Sequence, residues 1–488
     1  MVNLTARRPP VDPSSMKATD INLFNFTRPH MRALHVSWIC FHIAFTGWLA
    51  VAPLFPTIQK DLNLTDSEIG DCNIAVLSSS IIFRILAGPL CEKYGPRRVM
   101  AGILILGAIP TACVSLVQSA NSLIAARFFV GILGATFVSC QFWTTQMFSP
   151  NTVGGANAIA AGWGNMGAGI TYLLMPIVFD IFNKFLPVNI AWRVSMLVPA
   201  FLCIIAGIFS YFLGDDCPEG DWSRRNLFPN DGYVQFGDRE SKQPKIKQDM
   251  ETQIHRIPTV IHYLLVFINP NVILMMVMYA CCFGVEVAVD NVIAIFLTSQ
   301  FGISQTTAGL VGSTFGLLNI FSRLSGGLVS DFVNSKIGVR GRLLVQFLCF
   351  TLQGVFLILF KFMSGSFASA VVLMACFSLF TQACCGTSFG IVPYLDPAAT
   401  GIVTGLVGAG GNVGGLIFAA IFKAYASDLR TGFMIVGLSV LTVSFIPFLM
   451  KHKKQKTQSN QSTMIVTLNV TLERQMMKRV EVMKTQNI

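Results

Sequence analysis

A stretch of about 20 mostly apolar residues is long enough to cross a bilayer as a helix, and this chain carries twelve such stretches in succession. They fall near 33–56, 72–91, 97–118, 123–147, 152–181 and 191–213, then near 271–300, 305–329, 342–361, 366–390, 399–423 and 431–450. Strands of about ten alternating residues, the mark of a membrane barrel, are not seen. Only 12% of the 488 residues are charged, against about 25% in a soluble domain. That excludes a soluble enzyme, a secreted disulfide scaffold, a disordered chain and a nucleic-acid binder. An all-α polytopic protein of the lipid bilayer is what remains.

Charge sets the expected topology. Residues 1–32 carry a net +3 and residues 451–488 a net +6, which is most of the chain's +11. Lys/Arg excess marks the cytoplasmic side, so both tails are expected inside, and an even number of spans agrees. No h-region opens the chain, so no cleaved signal peptide is expected. The organisation read from this is a cytoplasmic tail (1–32), a six-helix half (33–213), a polar cytoplasmic linker (214–268), a second six-helix half (269–450) and a basic cytoplasmic tail (451–488). Thirteen cysteines are scattered through apolar segments with no CxxC pair, which reads as buried free thiols rather than a metal site or a disulfide framework.

The two halves repeat each other. The second helix ends in RILAGPLCE from Arg84 to Glu92, followed by Gly95, Arg97 and Arg98. The eighth ends in RLSGGLVSD from Arg323 to Asp331, followed by Gly338, Arg340 and Arg342. In both, glycine (Gly88, Gly327) follows the arginine by four residues and the acid follows it by eight. A second pair recurs as Gly164-Asn165 in helix five and Gly411-Asn412 in helix eleven. The offsets are 239 residues for the arginines and 247 for the asparagines, as duplication would leave them. An acid at a helix end can cap a neighbouring helix and hold basic loop residues in one state, then release them. Gly88, Glu92, Arg97, Arg98, Asp331, Arg340 and Arg342 are therefore the expected gating loops.

Arginine within an apolar helix costs about 2.5–3.5 kcal/mol to insert and is presumed functional. Arg84 and Arg323 lie eight residues from their acids, about 12 Å into a core about 30 Å thick. Pseudo-symmetry should bring them together across a central cavity, where two guanidiniums repel unless an anion sits between them. Their forks suit a planar oxyanion. No acid lies within a turn of either on its own helix, so separate pairing with carboxylates or carbonyls is the lesser expectation. Helices five and eleven are dense in glycine, which lets backbones pack closely and can face bare backbone to a cavity. Asn165 and Asn412 could donate amide hydrogens there.

These residues resemble the nitrate/nitrite porter family of the major facilitator superfamily. The G-x-x-x-[DE] loop pattern is similar to that superfamily's signature. Residues 161–167 (AGWGNMG, with Trp163) and 405–415 (GLVGAGGNVGG) look like the family's two glycine signatures. Phe283, Glu286, Asp290 and Asn291 in helix seven resemble the eukaryotic high-affinity nitrate transporter branch. The resemblance implies two pseudo-symmetric six-helix halves, alternating access, and an anion clamped by Arg84 and Arg323 with Asn165. It implies aromatic rings above and below the anion, at Phe137 of helix four and at Tyr279 with Phe283 of helix seven. Nitrate and nitrite are the implied substrates, with protons as coupling ion and, in some relatives, a small accessory membrane protein as partner.

Glu286 and Asp290 stand four apart and share a helix face; with His42 they are the candidate proton carriers, a structural tie being the plain alternative for the pair. His35 reads as an interface residue, and Arg127 and Arg193 as loop anchors. No Walker A loop, HExxH or GxSxG is present, so neither an enzyme nor a transport ATPase is expected, and no cofactor. The expected function is proton-coupled nitrate uptake at the plasma membrane. A nitrate/nitrite exchanger and a non-transporting nitrate sensor on the same fold stay open.

Overall fold

The computed structural model describes residues 8–226 and 260–450, apart from Ser14, Ser304, Pro397 and Ala398. The chain divides into a unit from Met1 to Phe448 and a second from Leu449 to Ile488. Most of the expected linker and all of the 451–488 tail lie outside the described residues.

Among the described residues twelve long helical segments follow in order, besides the short helices Phe55–Leu62 and Val260–Phe267: α1 (His30–Leu49), α2 (Asp66–Tyr94), α3 (Pro96–Cys113), α4 (Ala120–Met147), α5 (Val153–Asn183) and α6 (Val188–Leu213), then α7 (Pro270–Phe301), α8 (305–337), α9 (Val339–Met363), α10 (Phe367–Ile391), α11 (Thr400–Ala424) and α12 (Leu429–Val443). Lipid cannot satisfy backbone polar groups, so an apolar run of this length folds as a helix that satisfies its own. Eleven spans among the described residues are long and apolar enough to cross a membrane. The exception is α8. It breaks at Leu318 into Gln305–Leu317 and Asn319–Ile337 and carries Arg323, Asp331 and Lys336. It also runs past the expected end at 329 because Asp331 and Asn334 are buried against neighbours.

Local signals place the ends. Thr65 and Ser366 close capping boxes on α2 and α10, each supplying acceptors to first-turn N–H groups. Gly95 and Gly338 stop α2 and α8 at φ +88° and +68°, conformations that glycine adopts without strain.

The halves pack alike. α1 lies on α5 and α3 on α6, as α7 lies on α11 and α9 on α12. Across the halves α2 packs on α11 and α5 on α8. These crossings are glycine on glycine: a Cβ on Gly88 would stand 2.4 Å from the Gly401 carbonyl oxygen, and one on Gly327 2.7 Å from that of Gly154. Gly88 and Gly327 are 239 residues apart, and Gly154 and Gly401 are 247 apart, the offsets of the arginines and asparagines.

Candidate functional site

Arg84 and Arg323 are fully buried. α4 is wound as a 3-10 turn from Gly131 to Ala135, and that turn spends two carbonyls on α2. Ser80 Oγ donates to Gly131 O at 2.8 Å, and Arg84 Nε donates to Gly134 O at 2.9 Å. Arg84 Nη1 crosses the halves to Gly408 O of α11 at 2.7 Å. Its guanidinium lies 5.0 Å from the Phe137 ring centre and 4.9 Å from that of Phe283, a cation–π arrangement.

The rings form one stack. Phe137 lies 5.9 Å from Tyr279 and 6.2 Å from Phe283, near-parallel to both. Tyr279 and Phe283 are parallel at 5.5 Å. A flat anion between facing rings needs about 7 Å, two carbon contacts of about 3.5 Å, so the stack must part slightly to take one. Glycines give the rings their space. A Cβ on Gly411 would stand 2.8 Å from both Tyr279 and Phe283, and one on Gly164 would overlap Phe41 at 1.9 Å.

Phe41 has no role in the sequence reading, yet it packs 5.6 Å from Phe137. Phe389 of α10 closes the box edge-on at 4.9 Å from Phe137 and 5.0 Å from Tyr279. The repeat offers a signal for Phe41, which stands 242 residues before Phe283. Gln382 and Asn319 were also unread; a buried amide in an apolar helix is their signal.

Both arginines correct an expectation by pairing separately, Arg84 with two carbonyls and Arg323 with a carboxylate. Arg323 Nη2 donates to Glu286 Oε2 of α7 at 2.5 Å and to Gln382 Oε1 of α10 at 3.2 Å. Glu286 Oε1 accepts from Asn319 Nδ2 at 2.9 Å. The arginine's own helix has no acid within a turn, and the partner comes from a neighbouring helix. Glu286 and Asp290 also diverge in surroundings. Asp290 lines a small cleft with Tyr172, Ser313 and glycines of α5 and α8.

Several buried polar atoms here have no hydrogen-bond partner among the described residues: Arg84 Nη2, Arg323 Nε and Nη1, Tyr279 Oη, Gln382 Nε2 and both amide atoms of Asn165 and Asn412. Each such atom costs about 1–3 kcal/mol when left unpaired. Unpartnered buried polar atoms at this density are rare in a native structure and call for an explanation. Among the described residues no three His, Cys, Asp or Glu side chains are placed to hold a metal. His42 faces the Trp163 carbonyl through Nδ1 at 3.0 Å.

The loop acids each reach across the halves. Glu92 Oε1 accepts from the N–H groups of Gly401 and Ile402 at 2.8 and 3.2 Å, at the start of α11. Asp331 Oδ2 accepts from Gly155 N at 2.5 Å, at the start of α5. The basic residues depart from the symmetric expectation. Arg342 pairs with Asp331 at 2.6 Å, while Arg340 is exposed. Arg97 and Arg98 pair instead with the segment after α6, Arg97 with Asp216 and both with Asp221. Burial pushes the Asp216 carboxyl up despite Arg97. Ser223, then Arg98 and Arg97, hold Asp221 down at about 2. Arg127 is buried and donates to Trp48 O, at the last turn of α1, at 2.8 Å. Arg193 pairs with Asp61 at 2.7 Å.

The family model described as Major Facilitator Superfamily matches residues 37–419. High-affinity nitrate transporter 2.3 of rice (Oryza sativa subsp. japonica) is 36% identical over 89% of this chain and 80% of its own. Nitrate transporter 2.2 of Chlamydomonas reinhardtii is 38% identical over 84% of this chain and 76% of its own. Among solved structures, the proton:xylose symporter XylE superposes with a TM-score of 0.62 at 13% identity, over 86% of this chain and 95% of that one.

Proposed function

We propose, for a chain that belongs to the major facilitator superfamily and within it to the nitrate transporters, that it imports nitrate with protons by alternating access and accepts nitrite as a second substrate. The observation that carries this is the arginine pair set against the Phe137, Tyr279 and Phe283 stack, with unpartnered guanidinium and amide groups around it. Nitrate is flat, monovalent and weakly hydrated. Rings cannot replace the hydration of phosphate or sulfate, while a guanidinium fork matches two oxygens of a planar anion. Arg84, Arg323, Asn165 and Asn412 are the proposed anion ligands. Gly164 and Gly411 make room for the rings.

The end that carries Glu92 and Asp331 is closed, with glycine crossings below the site and an acid capping a helix of the opposite half. Loss of those caps would let the halves rock and open that end, which we assign to the cytoplasm of a plasma-membrane protein with both termini inside. Importing nitrate alone against a negative-inside potential is opposed by about 2.3 kcal/mol per 100 mV. Two or more protons per nitrate reverse that sign, with Glu286, Asp290 and His42 as candidate carriers. A small accessory membrane protein is a possible partner, to be sought by copurification.

Purified protein in liposomes, given labelled nitrate under imposed pH and voltage, tests the reading. Uphill accumulation driven by an acid exterior is expected. Flux only against internal nitrite would make the protein an exchanger, and nitrate binding without flux would make it a sensor.

A further inference from the structure

The two arginines of the pair are held differently. Arg84 rests on two backbone carbonyls, Gly134 O and Gly408 O. Arg323 rests on a carboxylate, with Glu286 Oε2 at 2.5 Å on Nη2, and the other oxygen of that carboxylate is taken by Asn319 at 2.9 Å. A carboxylate is itself a planar oxyanion. The groups that hold it, one guanidinium edge and one amide, are of the kind proposed to hold nitrate.

We propose that Glu286 is an internal stand-in for the transported anion. Its carboxylate occupies Arg323 until it takes up a proton, and only then does Arg323 turn to an oxyanion from solution. The proposal rests on the nitrate-transport reading and specifies how that site is loaded. The step balances simply: Glu286 carboxylate plus one proton gives the neutral acid, the ion pair with Arg323 is broken, and nitrate replaces it. The proton comes from solvent in the cleft lined by Asp290, one helical turn further along α7.

Charge bookkeeping supports the order. Arg84, Arg323 and ionised Glu286 together carry +1. Adding a proton gives +2, and adding nitrate restores +1. These three groups then carry the same net charge unloaded and loaded, and a second proton, if driven uptake needs it, is carried elsewhere. Nitrate arriving with Glu286 still ionised would set two anions on one guanidinium, which repel.

The charged and titratable neighbours of Glu286 are Arg323 of α8, Cys385 of α10 with its thiol at 3.7 Å, Arg84 of α2, and Tyr279, Cys282 and Asp290 of α7 itself. Among the described residues, α11 meets α7 through Gly410, Gly411 and Gly414, and α12 through Phe433 on Phe296.

The test is nitrate affinity of the purified full-length protein between pH 5.5 and 8.5, read from nitrate-dependent shifts in thermal unfolding. In the wild type each nitrate binds together with one proton, so the apparent Kd should rise about tenfold per pH unit on the alkaline side. Glu286→Gln keeps the size and a hydrogen-bond acceptor for Asn319 but has no charge to compete. It should bind nitrate at least as tightly as the acid-loaded wild type, with a Kd flat within about twofold across the range. A pH slope unchanged in Glu286→Gln overturns the proposal, as does weak binding by that variant at every pH while it remains folded. Should it not fold, Asn319→Ala keeps both charges and loosens only the hold on the carboxylate. It should tighten nitrate binding at pH 7.5, and unchanged or weaker binding would refute the stand-in. A wild type that neither binds nor moves nitrate would sink the transport reading itself, which is a separate outcome.

Discussion

Arg84 separates charge from shape. Lysine in its place keeps the positive charge but has one nitrogen, so it cannot reproduce the planar spread by which Nε serves Gly134 O and Nη1 serves Gly408 O while Nη2 stays open to an anion. Arg84→Lys is expected to lower nitrate kcat/KM at least about 100-fold, about 2.7 kcal/mol, with Arg323→Lys alike. Folding should survive, as tested by thermal unfolding and size-exclusion profile. Near-normal uptake by either variant would leave a counter-charge role only. Gly411→Ala probes the ring box, since its Cβ would press on both Tyr279 and Phe283 at 2.8 Å. Overpacking of this kind costs about 1–3 kcal/mol, so KM should rise about tenfold or more, while an unchanged KM would place the rings outside the binding step. The arginines and asparagines stood out in sequence because each is a polar group in an apolar helix that recurs in the other half; the rings, among 40 phenylalanines, were legible only through the family resemblance. The partner of Arg323 did not stand out. Glu286 lies 37 residues away, and only the packing of α7 on its neighbours brings it there.

Among the elements, the helices were legible because lipid imposes one solution on an apolar run. What blurred them was functional. The 3-10 turn in α4 leaves no mark except Gly131 and Gly134, and the break at Leu318 falls in a run that reads as continuous. The glycine crossings yield a prediction. Gly88→Val should prevent α2 from closing on α11, because even its Cβ would stand 2.4 Å from Gly401 O. Spin-label distances across the Glu92 end should lengthen and transport should stop, with Gly327→Val behaving alike. Unaltered distances would show that this end closes elsewhere. The segment after α6 supplies a pH test. Asp221 has a folded value of about 2 against an ordinary 3.8. Its stabilisation is therefore present above about pH 3.8 and lost as pH falls through 2. Partly exposed, it should be worth no more than about 1 kcal/mol. Asp221→Asn should lower the melting temperature at pH 6 and converge with wild type near pH 2. Curves that coincide throughout would show that the Arg97–Asp221 clamp adds nothing.

At the scale of the whole molecule, one helix fixes the orientation. α2 runs 29 residues from Asp66 to Tyr94, about 44 Å, more than the roughly 30 Å apolar core of a bilayer. Its two ends therefore face opposite compartments. Asn63 stands just before its start, exposed, in the sequon Asn63-Leu64-Thr65. Glu92 stands at its other end. The segment 8–29 also lies at the Glu92 end: Ala18 N donates to Met147 O, Ser149 N donates to Ala18 O, and Lys17 reaches Thr145 O, all at the α4–α5 turn beside the helix that Asp331 caps. The sequon at Asn25 belongs to that segment, and those at Asn3, Asn460 and Asn469 lie outside the described residues. If the Glu92 end is cytoplasmic, as the basic tails require, glycan can be added at Asn63 alone, since glycosylation occurs on the far face of the membrane. Expressed in a glycosylating cell, the protein should shift on a gel after enzymatic deglycosylation, and Asn63→Gln should abolish that shift. Glycan at Asn25 or in the tail would invert the topology. Glu92 and Asp331 would then close the outer end, and the acid-loaded cleft at Asp290 would face the cytoplasm.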